Sequence, residues 1–398
     1  MGTPTLYTDI VIIGGGVAGL WALNLLRERG YSAVLFEQEA LGSHQTIGSQ
    51  GMIHGGIKYA LGGALTPGSQ VIAAMPSLWR ECLAGRGPVN LRGCEVLSDA
   101  FHVWSSGSLS ARINSFFASK LLRGRVEALK PDAYPTPLRH PDFRGHVYRL
   151  EELVLDVPSL VSNLAKRHSG DMFCIDWDTA SLQRVKRRAR LVLPEVVLEP
   201  ECLLLAAGCG NQALMEALDS ASPAMQRRPL QQVLVKHSYA QPLFAHCLGN
   251  RPSPRLTITS HRCSDGHPVW YLGGDLATAG AGESPERLVD HARGELAELL
   301  PWLDLGECEW RTLTLDRAEH AQAGLMRPDT AFVGPVAGVD NALVAWPTKL
   351  TLTPRLGELL ESQLQERSIL PRHTPDLSPL AQVPRPALAA PYWDTLFQ

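Results

Sequence analysis

The chain has 398 residues, enough for two domains or for one large domain carrying an insertion. Hydrophobic residues make up 45% and charged residues 19%, the balance of an ordinary globular protein. The formal net charge of −3 gives no reason to expect nucleic acid or an anionic membrane surface as a partner, and no apolar run reaches the roughly 18 residues of a transmembrane helix.

The first strand starts close to the N-terminus, which leaves no room for a signal peptide. The eight cysteines show neither C-x-x-C pairs nor zinc spacing with histidines, so free thiols, no metal and a cytoplasmic location are expected.

Residues 9–37 organise the chain. Ile10 to Ile13 is a short β-branched run suited to a buried parallel strand. Gly14, Gly16 and Gly19 follow as G-x-G-x-x-G. The first glycine permits a tight turn, the second lets a pyrophosphate approach the backbone, and the third lets helix and strand pack closely. A helix is expected from Val17 to Arg29, with Gly30 as its C-cap. The N–H groups around Val17 and Ala18 then point at an anion. Val34 to Phe36 form a second strand. Glu37 ends it, at the spacing from Gly19 where an acid accepts from a ribose hydroxyl and disfavours the 2′-phosphate of NADP. This unit is a dinucleotide site, and it leaves FAD and NAD both open.

After it comes a glycine-rich stretch, 42–63, able to run close to a ligand. A helix is expected over Val71–Leu83 with a kink at Pro76. Residues 86–149 are rich in proline, serine and aromatics, with a helical segment near 109–122. Asp156 to Ser159 opens a helix. Residues 174–199 read as strands, and Arg184 to Arg190 (RVKRRAR) reads as a solvated edge or loop. Cys202 to Ala206 is an apolar strand that runs into a second glycine turn, Ala207 to Gly210, and returns the chain to the nucleotide sheet. Strands dominate from Pro229 to Arg317, interrupted by a helix from Ser284-Pro285 to about Leu300. Thr353-Pro354 opens a last helix, and the proline-rich tail 371–398 is expected to be extended. There is no second G-x-G-x-x-G with its own acid. The electron donor is therefore expected to be a small substrate that docks on the cofactor directly.

Five segments taken together resemble the FAD-dependent oxidoreductase family that includes D-amino acid oxidase, glycine oxidase and glycerol-3-phosphate dehydrogenase. They are the βαβ unit, Ser49 to Tyr59 (SQGMIHGGIKY), Leu203 to Gly208, Ala323 to Asp329 with the Gly334 turn after it, and Pro347 to Thr351 (PTKLT). The resemblance implies an α/β fold with a Rossmann-type FAD domain, built from 1–85, 150–222 and 328–370. A substrate domain on a mixed β-sheet, from 86–149 and 223–327, would complete it.

The resemblance also implies non-covalent FAD, held by Gly14, Gly16, Val17, Ala18, Gly19, Glu37 and Gln38. Further contacts would come from Ser49, Gln50, Gly51, Ile53, Gly208, Lys349, Leu350 and Thr351. Arg327 would clamp an anionic substrate, Lys349 would stabilise charge near the flavin, Lys58 and Tyr59 would line the substrate cavity, and His54 would serve as a base. His237 reads as a sheet histidine. His44 lies in a segment loosely like one that carries a covalent flavin.

Three departures are visible. Lys58 stands where the glycerol-3-phosphate dehydrogenases carry arginine, Met326 is an extra residue before Arg327, and no counterpart of the further helical domain of the larger dehydrogenases is expected after the last helix. The expected activity is hydride transfer from a CH–OH or CH–NH group of a small, anionic substrate to the flavin, with O2, a quinone or a carrier as the final acceptor and a monomer as a possible state. An NAD-dependent dehydrogenase and a flavin-binding redox sensor without turnover are the alternatives.

Overall fold

The computed structural model describes residues 3–56, 67–105, 126–249, 251 and 253–398. Lys58, Tyr59 and the expected helix near 109–122 lie outside them. The first three elements are β1 (Thr5–Ile13), α1 (Val17–Glu28) and β2 (Ala33–Glu37). β1 pairs in parallel with β2 on one side, Ile13 opposite Phe36, and with Val197–Leu205 on the other, Ile13 opposite Leu205. Met172–Cys174 extends the parallel sheet beyond β2, and Ala342–Trp346 extends it beyond Leu205. The central strands read as unbroken apolar runs because both of their faces are covered. On one face the helices Val17–Glu28, Val157–Arg167 and Thr353–Glu366 close a core around Trp21, Leu160 and Leu356. On the other face Phe36, Phe173, Leu203 and Trp346 pack together.

The basic run 184–190 forms an exposed antiparallel hairpin that turns at Lys186 (φ +60°). Its arginines pair outward, Arg187 with Asp340 at 2.7 Å and Arg188 with Glu201 at 3.4 Å, so the run is a solvated edge.

Among the described residues a second sheet has eight strands. The long strands Met225–Lys236 and Glu309–His320 pair along their full length at one edge. Pro268–Gly273, Pro254–Arg262, Ala245–Leu248, Phe101–Ser105, Val147–Leu150 and Val126–Ala128 follow in that order. Ala245–Leu248 runs parallel to Phe101–Ser105 while the other pairs are antiparallel, which makes the sheet mixed. Helix Pro285–Leu299 covers one face with Leu288, Ala292, Leu296 and Leu299. Its start is fixed by Ser284, whose hydroxyl accepts from Arg287 N at 3.4 Å.

Two expectations change in detail. The helix expected at Val71 begins at Pro67 and contains Pro76 without ending there. The tail is extended for most of its length but is not loose. It adds a short strand, Ala387–Leu388, beside Ala40–Leu41 and ends in a helical turn, Tyr392–Thr395, with Trp393 only 2% exposed. Among the described residues no helix is long and apolar enough to cross a membrane.

Two buried histidines make the fold acid-sensitive. His237 packs on Trp270, its Nδ1 accepts from Tyr239 N at 3.1 Å, and burial lowers its pKa to about 4. His261 is stacked on Trp393 with ring centres 4.3 Å apart, and burial lowers its pKa to about 3. Both take up protons more readily in the unfolded chain, at an ordinary pKa near 6.5. Their neutral form therefore contributes full stability above that pH, and the contribution is lost as pH falls toward 4 and 3. Thermal unfolding should show a midpoint that is steady above pH 7 and falls below pH 6.5, by pH 5 costing on the order of 2 kcal/mol per histidine. A midpoint unchanged down to pH 4.5 would contradict this burial.

Candidate functional site

The parallel strands end at a common edge, and the glycines there are dictated by close approach. Gly14 sits at φ +110°, and a Cβ on it would lie 2.6–2.7 Å from the backbone of Ala206 and Ala207. A Cβ on Gly19 would lie 1.9 Å from the Gly14 carbonyl oxygen. Only glycine lets the two strand ends and the helix meet this closely. α1 starts at Gly16, which has no side chain to cap it, and no acid stands in its first turn. One of its early amides, Val17 N, donates to Thr46 Oγ1 at 3.0 Å.

Above this edge, between the two sheets, lies a cleft of about 1160 Å³. Ordinary small-molecule sites span about 300–1,000 Å³, so this one has room for a ligand as large as a dinucleotide. Gly14, Gly16, Val17, Ala18, Glu37, Gln38, Ser49, Gln50 and Gly208 line it, as do Lys349, Leu350, Thr351, His54 and Arg327. Three residues singled out from the sequence stand behind the lining. Gly19 packs on the turn, Ile53 is fully buried opposite Leu153, and Gly51 lies against the Leu155 carbonyl.

Glu37 is 8% exposed. Its Oε2 accepts from Gly15 N at 2.5 Å and its Oε1 from Glu39 N at 2.8 Å. Each carboxylate oxygen keeps a further lone pair, so a ribose hydroxyl can still donate to it. Ile175 follows from the strand beside β2, its N–H donating to Glu37 O at 2.9 Å, and with Trp177 and Leu182 gives this part of the cleft an apolar wall. A helix start with no acid in its first turn, a carboxylate and an apolar wall together suit a dinucleotide.

Where the two sheets meet, residues 48–50 tie them together. Gln50 Nε2 donates to Tyr271 O at 2.7 Å and to Thr259 Oγ1 at 3.2 Å. The buried Tyr271 hydroxyl lies 2.8 Å from Gly48 O and 3.0 Å from Gln232 Oε1. Behind them, His54 N donates to Thr351 Oγ1 at 2.9 Å and the Trp79 indole to Thr351 O at 3.0 Å. The adjoining Thr348 takes φ +64°, and Lys349 is buried to 7% exposure at the cleft wall. Arg327 is exposed at the same cleft. His237 is absent from the lining residues, in keeping with a sheet histidine.

Several lining residues carry no local sequence signal. Arg227 and Arg317 sit on the paired long strands, and Gln232 on one of the same strands. Asn211 supports the second glycine turn from behind, accepting from Ala207 N at 2.7 Å and donating to Ala345 O at 3.2 Å. An asparagine at the start of a helix is a recognisable local signal; the arginines are placed by strand register alone.

The family model described as FAD dependent oxidoreductase (DAO) matches residues 9–362. The chain belongs to this family. A probable FAD-dependent oxidoreductase of Pseudomonas aeruginosa, PA4991, is 47% identical over 393 residues, covering 98% of this chain and 99% of its own. Its crystal structure superposes with a TM-score of 0.86 over the whole of both chains, at 41% identity in that alignment. The fold is shared more distantly by glycine oxidase of Geobacillus kaustophilus, with a TM-score of 0.63 at 17% identity over 94% of this chain and 98% of the other. An L-alpha-glycerophosphate oxidase of Mycoplasma pneumoniae with FAD bound gives a TM-score of 0.64 at 12% identity, again over 94% and 98%. Family membership settles the cofactor as FAD over NAD and the protein as an oxidoreductase.

The turn glycines give a direct test. Gly14→Ala should weaken FAD binding at least about tenfold, or about 1.4 kcal/mol, because the added methyl group meets the Ala206–Ala207 backbone at a φ that L side chains rarely adopt. The check is the flavin absorbance per mole of purified protein; full occupancy in the variant would contradict the geometry.

Proposed function

We propose that this oxidoreductase takes hydride from a carbon bearing a hydroxyl or amino group in a small anionic substrate. The observation that carries the reading is charge placement. Arg327 and Lys349 line the same cleft as the nucleotide turn, with Arg227 and Arg317 on the facing strands. Of the lining acids, Glu37 is held at the nucleotide end of the cleft by backbone amides and Asp316 faces Arg227 at 3.9 Å.

In this reading residues 1–85, 150–222 and 328–370 form the cofactor unit, and 86–149 and 223–327 the substrate unit. The amides at Gly16 and Ala18 receive the pyrophosphate, with Val17, whose own amide is held by Thr46, packed beside it; Glu37 and Gln38 receive the ribose, and Ser49, Gln50, Gly208, Leu350 and Thr351 border the rest of the cofactor. Bound FAD supplies the hydride acceptor. Arg327 grips a carboxylate or phosphate through two parallel N–H donors, which fixes the substrate's orientation. Lys349, withdrawn from bulk water, stabilises negative charge developing inside the cleft. His54, which lines the cleft, takes the proton from the substrate hydroxyl or amine in this reading. Lys58 and Tyr59 belong to the proposed substrate wall on the strength of the resemblance. All eight cysteines are free thiols, which fits a reducing cytoplasm.

The test is anaerobic bleaching of the flavin band by a panel of hydroxy acids, amino acids, polyol phosphates and their neutral analogues. An anionic member should bleach it and its neutral amide or alcohol should not. With that substrate, Arg327→Leu and Lys349→Met should each lower kcat/KM by about 10- to 150-fold, the equivalent of about 1.5–3 kcal/mol for a charge-assisted hydrogen bond. Faster bleaching by neutral analogues, or variants with unchanged kcat/KM, would overturn the reading.

A further inference from the structure

The family match stops at residue 362, yet Tyr392 lines the cofactor cleft. The segment that brings it there is fastened to both sheets. At its start, Asp9 Oδ1 accepts from Arg372 N and His373 N, each at 3.1 Å. Further on, Pro384 O accepts from Cys174 N at 2.8 Å, and the Arg385 guanidinium lies 4.0 Å from the centre of the Phe173 ring. Ala387–Leu388 then pairs in parallel with Ala40–Leu41, and Ala389 N donates to Leu41 O at 3.0 Å. The chain crosses to the second sheet at Trp393. Its indole stacks on His261 and meets Tyr271 edge-on, while its carbonyl accepts from Cys263 Sγ at 3.1 Å. Asp394 Oδ1 accepts from Ser264 N at 2.7 Å. Tyr392, one residue before, packs between the core of the first sheet and the cluster around Tyr271.

These contacts bear on the segment 39–50, which supplies His44, Gln45, Thr46, Gly48, Ser49 and Gln50 to the cleft wall. One end of that segment is held by the tail strand at Ala40–Leu41. Leu41 in turn packs on Gly15 of the nucleotide turn, and Gly42 N donates to Gly15 O at 2.8 Å. The other end is held at Gly48, whose carbonyl faces the hydroxyl of Tyr271, the ring that Trp393 packs against. The tail strand thus holds one end of this wall directly, and Trp393 backs the Tyr271 ring that holds the other.

We propose that residues 387–398 are a cofactor-retaining strap, with Tyr392 as a cofactor-cleft residue supplied from beyond the residues that the family model matches and Trp393 as its anchor. The strap acts on FAD dissociation and not on the chemistry of the substrate, so it can be tested without knowing the substrate. Purified holoprotein is diluted and the rise of free-flavin fluorescence is followed for the full chain, for a chain ending at Pro386, and for Tyr392→Ala. Removal of 387–398 should speed release at least about tenfold, and Tyr392→Ala about threefold, with the thermal midpoint falling further in the Tyr392→Ala holoprotein than in its apoprotein. Release rates within about twofold of the full chain in both variants would overturn the proposal. Faster release from the shortened chain alone would overturn the part given to Tyr392. Should the shortened chain fail to fold, the Tyr392→Ala rate decides.

Discussion

Everything in this molecule is arranged around one close approach, the contact of the Gly14 turn with the backbone at Ala206–Ala207. A methyl group at Gly14 would lie inside van der Waals distance of that backbone, and a methyl group at Gly19 would strike the Gly14 carbonyl. The approach brings together the ends of two parallel strands from distant parts of the chain, paired residue for residue from Ile10–Cys202 to Ile13–Leu205. That common edge is the floor of the cleft. The second sheet is then set over the floor by polar contacts from residues 48–50, chiefly Gln50 on Tyr271 O and the Tyr271 hydroxyl on Gly48 O. Hydrophobic burial stabilises each sheet separately, but it does not specify direction. The hydrogen bonds at this junction do, and they fix how wide the cleft is.

The parts legible in the sequence are those whose signal is local. Strand, glycine turn, helix, strand and acid fall within 9–37, and each step follows from residue chemistry within a few positions. The mixed sheet was expected from the family resemblance, and its strands from short β-branched runs. Arg327 and Lys349 are a different case. They lie on either side of a hairpin, Phe332 opposite Trp346, which folds the chain so that both flank its open end. A motif placed each of them, but only strand register places them in one cleft. Gln232, Arg227 and Arg317 were invisible for the same reason. Their position depends on pairing between strands far apart in sequence, Arg227 with Ala318 and Arg228 with Arg317. The tail was read as extended, which describes its backbone. That its few apolar residues are anchors could not be read, because isolated aromatic residues carry no period.

An exposed arginine is a poor instrument of specificity if its loop moves, since lost side-chain and loop entropy is subtracted from whatever binding it gives. The loop that carries Arg327 is restrained from below. Gln226 spans it, accepting from Gln322 N at 2.9 Å and donating to Met326 O at 2.9 Å. Gln226 Nε2 also donates to the carboxylate of Glu319 at 2.8 Å, and that fully buried carboxylate is gripped by two guanidinium nitrogens of Arg228. A buried ion pair of this kind contributes little net stability, because desolvation offsets its Coulomb energy, yet breaking one side of it costs several kcal/mol. Such a pair therefore resists rearrangement more than it stabilises the fold. Placed under the Arg327 loop, it restrains the backbone while the guanidinium stays exposed at the cleft, which is the arrangement that the proposed anion clamp requires.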